Sequence, residues 1–317
     1  MSASTSRSTV MRKLGGYGAA IAVTPYLLIK VAWTFGILLP DARMGEPGWR
    51  AINATTALLA LVGVLLGLAF SRPWGERLPA WLVLVPVWVG TGLLVPMVLL
   101  APVLGPAAVA RDRAAGAAPT WSIEQLLVVV SLVGVGVGLP IAFAGYAKAR
   151  WPQALGGPLD AGDAPGHTRR LQLPLARLVA VGCVLLCATK LYWTLGGTIG
   201  IDPGRLEGRD LWWHALTLSM GVWSLAGAWA ILVLSTRRGA RRFPFPMLVG
   251  WVSSGMLLGY NLFFSLRADA RASPESPLAR MVATQVGIVL GLVMALIIVL
   301  VLHGRVRVGG AGPRPGP

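Results

Sequence analysis

The sequence predicts an all-α, polytopic membrane helix bundle, and three observations predict it. Of the 317 residues, 55% are hydrophobic and only 13% are charged, about half the charged share of a soluble globular protein. The mean hydropathy is +0.69. The apolar residues fall in eight runs, each of about twenty residues, the length that crosses a hydrocarbon core of roughly 30 Å. This pattern excludes a soluble enzyme, a secreted disulfide-stapled domain and a disordered chain.

In chain order the runs are 17–39, 51–70, 80–103, 123–147, 177–199, 211–235, 246–266 and 281–302. Backbone polar groups in hydrocarbon must bond to one another, which leaves helices or a closed barrel. Barrel strands would alternate apolar and polar residues; these runs are continuous, so each is read as a helix. Pro25, Pro86, Pro96 and Pro140 fall inside runs, where they favour kinks. Tryptophans mark the run ends: Trp49, Trp121, Trp212 and Trp213 on one side, Trp74, Trp81 and Trp151 on the other.

Charge orients the bundle. With the amino terminus inside, 17 lysines and arginines fall in inner segments and nine in outer loops, while the 12 acidic residues divide three to nine the other way. By the positive-inside rule both termini are cytoplasmic, and the expected location is a bacterial inner (cell) membrane. The net charge of +16 invites a nucleic-acid reading. The basic residues are scattered between apolar runs instead of gathered on one face, so nucleic acid is not expected as a partner. The basic amino terminus is not read as a cleavable signal, because its apolar stretch exceeds twenty residues, contains Lys30 and lacks a small-x-small site.

The chain carries an internal repeat. Lys30-x-x-Trp33-Thr34-x-Gly36 in the first run recurs as Lys190-x-x-Trp193-Thr194-x-Gly196 in the fifth, at an offset of 160. Asp41, Arg43, Glu46 and Trp49 follow the first copy; Asp202, Arg205, Glu207 and Trp212 follow the second in the same order. Gln125 and Gln285 stand at the same offset. The division is then a first four-helix repeat over 1–151, a cytoplasmic linker over 152–173, and a second repeat with a basic tail over 174–317. Four helices per unit is an even number, so the two repeats run parallel and their pseudo-axis follows the membrane normal.

The segment Leu191-Tyr192-Trp193-Thr194-Leu195-Gly196-Gly197 resembles a group of small, uncharacterised four-helix bacterial membrane proteins, which carry an aromatic-Trp-x-x-Gly-Gly stretch in their first helix. The resemblance covers one helix per half and implies that each half corresponds to one such unit. It implies nothing about chemistry. The first half departs from it, with Gly36-Ile37 in place of the glycine pair.

The lysines are the residues that invite function. Run length places Lys30 about 15 Å from the outer end of its helix, where insertion of a lysine costs about 2.5–3.5 kcal/mol. No Asp or Glu lies deep in a run, so the candidate partners are Asp41, Asp202, Gln125, Gln285, backbone carbonyls or a bound anion. Lys, Trp and Thr at i, i+3 and i+4 share a helix face, and Cys183 and Cys187 extend that face in the second half. The expectation is a polar, outward-facing cavity lined by Lys30, Trp33, Thr34, Asp41, Lys190, Trp193, Thr194, Asp202, Gln125 and Gln285. The competing reading is two lysines that bond carbonyls and tie helices together. The cysteines, four apart on one helix, are read as reduced packing thiols without a metal.

Sequence motifs for nucleotide hydrolysis, zinc proteolysis and serine hydrolysis are absent, and no catalytic residue, cofactor or metal is assigned. Three classes remain. A permease-like carrier of a small anionic or amphipathic molecule accords best with the repeat and the lysine pair. A cofactor-free enzyme on a lipid or isoprenoid would use Trp33, Trp88, Trp193, Trp223, Trp229 and Trp251 to stabilise a cation. An accessory protein would need no substrate. Expected partners are membrane lipid, a small anion and, in a homo-oligomer, a second copy of the chain.

Overall fold

The computed structural model describes residues 2–37, 47–114, 123–152, 166–238, 242–266 and 274–310. Among the described residues the chain is helical, with one isolated antiparallel bridge between Ile201 and Glu275. The helices are α1 (Ser2–Thr34), α2 (Pro47–Ser71), α3 (Ala80–Ala114), α4 (Ile123–Val133), α5 (Leu139–Arg150), α6 (Gly166–Thr194), α7 (Leu211–Thr236), α8 (Pro244–Leu266) and α9 (Pro277–Gly310). A π turn, Gly134–Gly138, joins α4 to α5 in one continuous rod. Helix α6 takes in residues 166–173 of the stretch read as linker.

Among the described residues, seven helical stretches are long and apolar enough to cross a membrane, the make-up of a multi-pass integral membrane protein. Helix α8 buries four polar side chains, Ser253, Ser254, Tyr260 and Asn261. The seven show the pattern expected in lipid. On α6, Leu178, Val181 and Leu185 are 69%, 59% and 63% exposed while Val179, Cys183 and Leu186 are buried. A helix apolar on both its packed and its outer face is at home in hydrocarbon and not in water.

The chain divides into two compact units, one of Met1–Val87 and Ala101–Arg150, the other of Trp88–Leu100 and Trp151–Pro317. In the first, α1 packs along α2 on one side and against α4, the π turn and α5 on the other. Glycine permits both contacts. A Cβ added at Gly16 would lie 2.4 Å from the Gly67 carbonyl oxygen, and one at Gly15 would lie 2.7 Å from that of Gly138. One end of this unit is tied by charge. Arg12 pairs with Glu76 at 2.7 Å, its guanidinium lies 5.4 Å from the Tyr146 ring, and the Tyr146 hydroxyl donates to the Gly75 carbonyl at 2.9 Å.

In the second unit, α6 packs on α7 and α9, and α8 packs on α7 and α9. Its core joins Ala176, Cys183 and Leu186 of α6 to Ile231 and Leu234 of α7, Leu257 of α8, and Met294 and Ile297 of α9. Asn261 and Ser254 face two glycines of α9: a Cβ at Gly287 would meet the Asn261 amide at 2.2 Å, and one at Gly291 the Ser254 carbonyl at 2.9 Å. Gly287 and Gly291, four residues apart, thus admit a polar side chain as well as backbone to the face of α9.

Two helices end earlier than hydropathy alone predicts. Runs extending to Leu39 and Ile199 give helices that stop at Thr34 and Thr194. Gly36 (φ +78°) and Gly196 (φ +99°) take the left-handed conformation that terminates a helix. Gly36 N–H donates to Trp33 O at 3.1 Å and Ile37 N–H to Ala32 O at 2.8 Å; Gly196 N–H donates to Trp193 O at 3.1 Å and Gly197 N–H to Tyr192 O at 2.9 Å. The two closures are the same Schellman arrangement at an offset of 160.

Candidate functional site: two buried lysines at capped helix ends

The early stop moves the lysines. Lys30 and Lys190 each precede the last helical residue by four positions, about 6 Å of rise, in place of the 15 Å expected from run length. Each is nevertheless only 6% exposed. What encloses them differs between the halves.

Lys30 sits in an aromatic enclosure. Its ammonium is 4.4 Å from the Trp33 ring centroid, 5.3 Å from Tyr26 and 5.8 Å from Trp49. Tyr26 and Trp33 flank it at i−4 and i+3 on α1, the spacing that stacks side chains on one face. Trp49 arrives from the first turn of α2, its ring 5.3 Å from that of Trp33. Cation–π contacts of this kind contribute about 0.5–2 kcal/mol each, most where water is excluded.

Lys190 meets a ring, with a buried carboxylate held nearby. Its ammonium is 4.9 Å from the Trp193 centroid, and the Glu275 carboxylate acts on it electrostatically. Glu275 is 8% exposed and accepts a hydrogen bond from Trp213 Nε1 at 3.2 Å. The main chain fixes it there. Besides the bridge from Glu275 to Ile201, Asp202 N–H donates to Pro274 O and Ser276 N–H donates to Gly200 O, each at 2.9 Å. The loop after α6 and the loop before α9 therefore lie edge to edge beside the lysine.

The glycine pair of the second half has a physical reason for each member. Gly196 supplies the positive φ. Gly197 lies under the Tyr192 ring, where an added Cβ would come within 2.3 Å. The ring is placed so that its hydroxyl accepts from Thr198 N–H and Ile199 N–H, both at 3.1 Å, and Trp193 Nε1 donates to Ile199 O at 2.8 Å. In the first half Ala32 stands where Tyr192 stands, no ring needs the second glycine, and Ile37 takes its place. Arg209 closes the same corner, donating to Gly197 O at 2.6 Å with its guanidinium 5.5 Å from the Trp213 ring. Its Nε is buried and makes no hydrogen bond among the described residues.

The other expected cavity residues are distributed as follows. Thr34 and Thr194 turn their hydroxyls back onto the carbonyls of Lys30 and Lys190, at 2.7 and 2.8 Å, so those protons stabilise the last helical turn. Asp202 caps the turn Pro203–Gly208, accepting from Gly204 N–H at 3.0 Å, and pairs with Arg205 at 3.3 Å. Gln285 is exposed on α9. Gln125 lies on α4 with its side chain outside the described residues, and Asp41 lies outside them altogether. Cys183 and Cys187 are free thiols. Among the described residues no three His, Cys, Asp or Glu side chains gather as a metal site.

Two features escaped the sequence reading. Glu275 was counted as an outer-loop charge, and no local signal shows that its loop folds inward. The second was legible. Trp88-Val-Gly-Thr91-Gly92 on α3 recurs as Trp251-Val-Ser-Ser254-Gly255 on α8, at an offset of 163. In the second unit the two segments cross. Trp88 Nε1 donates to Ser254 Oγ at 2.9 Å, and Trp251 Nε1 donates to Thr91 Oγ1 at 3.0 Å. A Cβ at Gly92 would lie 2.1 Å from the Gly255 carbonyl carbon, and one at Gly255 would lie 2.4 Å from Trp88 O. The contact is reciprocal, as in an isologous interface. The indole N–H groups of Trp88 and Trp251 are therefore structural donors. Of the two tryptophans that begin α7, Trp213 is the one turned inward; Trp212 is 40% exposed.

No family model, curated protein or solved structure matches the chain.

Proposed function

We propose that the chain is a membrane carrier for a small anionic or amphipathic molecule, built from two four-helix repeats with both termini on the cytoplasmic side of a bacterial inner membrane. On this reading α8 is the eighth span, its polar residues shielded by α7, α9 and the Trp88–Leu100 segment. The repeat is supported at three levels. The Lys-x-x-Trp-Thr-x-Gly copies share an offset of 160, they close their helices with the same hydrogen bonds, and the Trp-Val-x-[Ser/Thr]-Gly copies meet reciprocally. Each repeat then corresponds to one of the small four-helix proteins that the glycine-pair segment resembles.

The observation that carries the carrier reading is the burial of one lysine per repeat at the capped outer end of its first helix. A lysine near a helix end can snorkel to the headgroups. Both instead stay 94% covered, under aromatic faces that stabilise an ammonium without neutralising it. An ammonium held against aromatic faces keeps its charge and can attract an anion arriving from the outer side. In this scheme Trp33, Trp49 and Trp193 hold the charge in place, and the substrate's carboxylate or phosphate pairs with it.

Transport requires water to reach the path from both faces. Single cysteines placed along α1 and α6 in a Cys183→Ala/Cys187→Ala background test this with an impermeant thiol reagent applied from each side. A carrier shows a stripe on the lysine face that reacts from either side, at rates that change when substrate is present. Labelling confined to the outermost turn removes the carrier reading.

A further inference from the structure

The end of the first unit remote from Lys30 carries an uneven charge. Arg12, Lys13, Arg72, Arg77, Lys148 and Arg150 gather there, and the carboxylate among them, Glu76, is taken by Arg12 at 2.7 Å. The turn Pro73–Arg77 is held in place by α5: the Tyr146 hydroxyl and Arg150 Nη1 both donate to the Gly75 carbonyl, at 2.9 and 3.3 Å. Arg72, which caps this turn, donates its N–H to Leu68 O at 3.0 Å and accepts from Gly75 N–H at 3.2 Å. Its backbone is therefore set by the end of α2. From there its guanidinium reaches across to α1 and lies 5.6 Å from the Tyr17 ring. Lys13 precedes Tyr17 by four residues, one turn of α1, and so stands on the same face. A Cβ at Gly16 would lie 2.1 Å from the Ser71 hydroxyl, which puts the α1–α2 seam directly beside them. Two exposed cations from two helices thus border one aromatic ring at the mouth of that seam.

Depth and surroundings identify what fits there. Trp74, in the same turn, and Trp81, at the start of α3, are both exposed, and bare indoles at a helix end mark the headgroup level of a bilayer. From Lys13 and Tyr17 the same face of α1 continues through Ile21 and Leu28, 72% and 62% exposed, at helical spacing. From Arg72 the α2 face continues through Leu65 and Leu61, also exposed. A free anion would satisfy the two cations alone; a phospholipid satisfies the cations and covers both apolar stripes. We infer that the Lys13–Tyr17–Arg72 corner binds the headgroup of an anionic phospholipid, its phosphate bridging the ammonium and the guanidinium and its acyl chains lying along the α1–α2 seam. Arg77 and Lys148, exposed at the same end, add to the attraction and favour a headgroup of net negative charge, as in phosphatidylglycerol, over a zwitterionic one. The site is separate from the lysines at the opposite helix ends and stands whether or not the chain transports anything.

The test photolabels the purified full-length chain in phosphatidylcholine nanodiscs. Trace phosphatidylglycerol and trace phosphatidylcholine, each carrying the same diazirine-bearing acyl chain, are compared, and their adducts are mapped by peptide mass spectrometry. On residues 13–28 and 58–72 the phosphatidylglycerol probe should label far more than its phosphatidylcholine counterpart. Lys13→Gln and Arg72→Gln should each cut that preference about fivefold, the worth of one basic side chain at an anionic lipid, and the double variant should abolish it. Lys13→Arg and Arg72→Lys keep the charge and should keep the preference, and Arg238→Gln, which removes an exposed cation of the second unit, should leave it unchanged. Gel filtration and circular dichroism check assembly, and the single variants serve if the double variant does not fold. Inorganic phosphate, exchanged for chloride at constant ionic strength, should not compete. Equal labelling by the two lipids, a preference that survives loss of both cations, or its abolition by inorganic phosphate, the mark of a free-anion site, overturns the inference.

Discussion

The indole of Trp88 donates to the hydroxyl of Ser254 while the equivalent indole, Trp251, donates to the equivalent hydroxyl, Thr91. Each motif is thus donor and acceptor to the other, and the bonds are set by the same spacing, Trp to hydroxyl at i, i+3. Interhelical hydrogen bonds of this type in membrane proteins contribute about 0.6 kcal/mol on average and up to about 1.7 kcal/mol. Trp88→Phe and Ser254→Ala should each destabilise the protein by an amount in that range. The double variant should cost little more than the Ser254→Ala change alone, because both remove one bond. Equilibrium unfolding in mixed detergent, read as a double-mutant cycle, checks it; additive effects would show that the pair is not coupled.

Backbone approach at the same crossing makes a sharper contrast. An alanine methyl at Gly92 would overlap the Gly255 backbone, whereas one at Gly90, two residues earlier, meets nothing within 4 Å. Gly92→Ala should cost about 1–3 kcal/mol through overpacking, and Gly90→Ala should be neutral or slightly stabilising through helix propensity. The melting temperatures of the two variants, measured side by side, decide it.

Helix closure beside the lysines depends on backbone conformation rather than on packing at one of the two sites. Nothing lies within 4 Å of a Cβ at Gly196, so Gly196→Ala isolates the cost of a positive φ, about 1–2 kcal/mol for an L residue. Gly196→Asn should cost less, since asparagine tolerates this region. Thermal unfolding ranks the three proteins as Gly, then Asn, then Ala; an alanine variant as stable as the parent would mean that the cap does not hold the helix end.

The helices were legible because lipid demands long apolar runs, and the recurring Lys-x-x-Trp-Thr-x-Gly motif was legible because those residues are conspicuous at fixed spacing. Helix ends were not, since hydropathy continues through Phe35, Ile37, Leu195 and Ile199 although Gly36 and Gly196 end the helices before them. The burial of Lys30 and Lys190 followed from the sequence; their enclosure did not. Trp49 and Tyr26 are brought to Lys30 by helix crossing and helix periodicity, and the periodic part was available in the sequence. The loop that carries Glu275 meets the loop after α6 through backbone groups of residues more than 70 positions apart, and side-chain spacing carries no record of such a contact. Asp202 looked like the natural partner by proximity, but an Asp followed two residues on by a glycine N–H satisfies its own turn first.

Uptake of radiolabelled short-chain carboxylates and inorganic phosphate into proteoliposomes puts the lysines themselves to the test, with Lys30→Met, Lys190→Met and the double variant each confirmed as folded. Anion uptake by the parent, reduced at least tenfold in Lys30→Met and absent in the double variant, is the predicted result, tenfold being about 1.4 kcal/mol of binding free energy. Undiminished uptake in a correctly assembled double variant would contradict it and leave the two ammonium groups as structural residues.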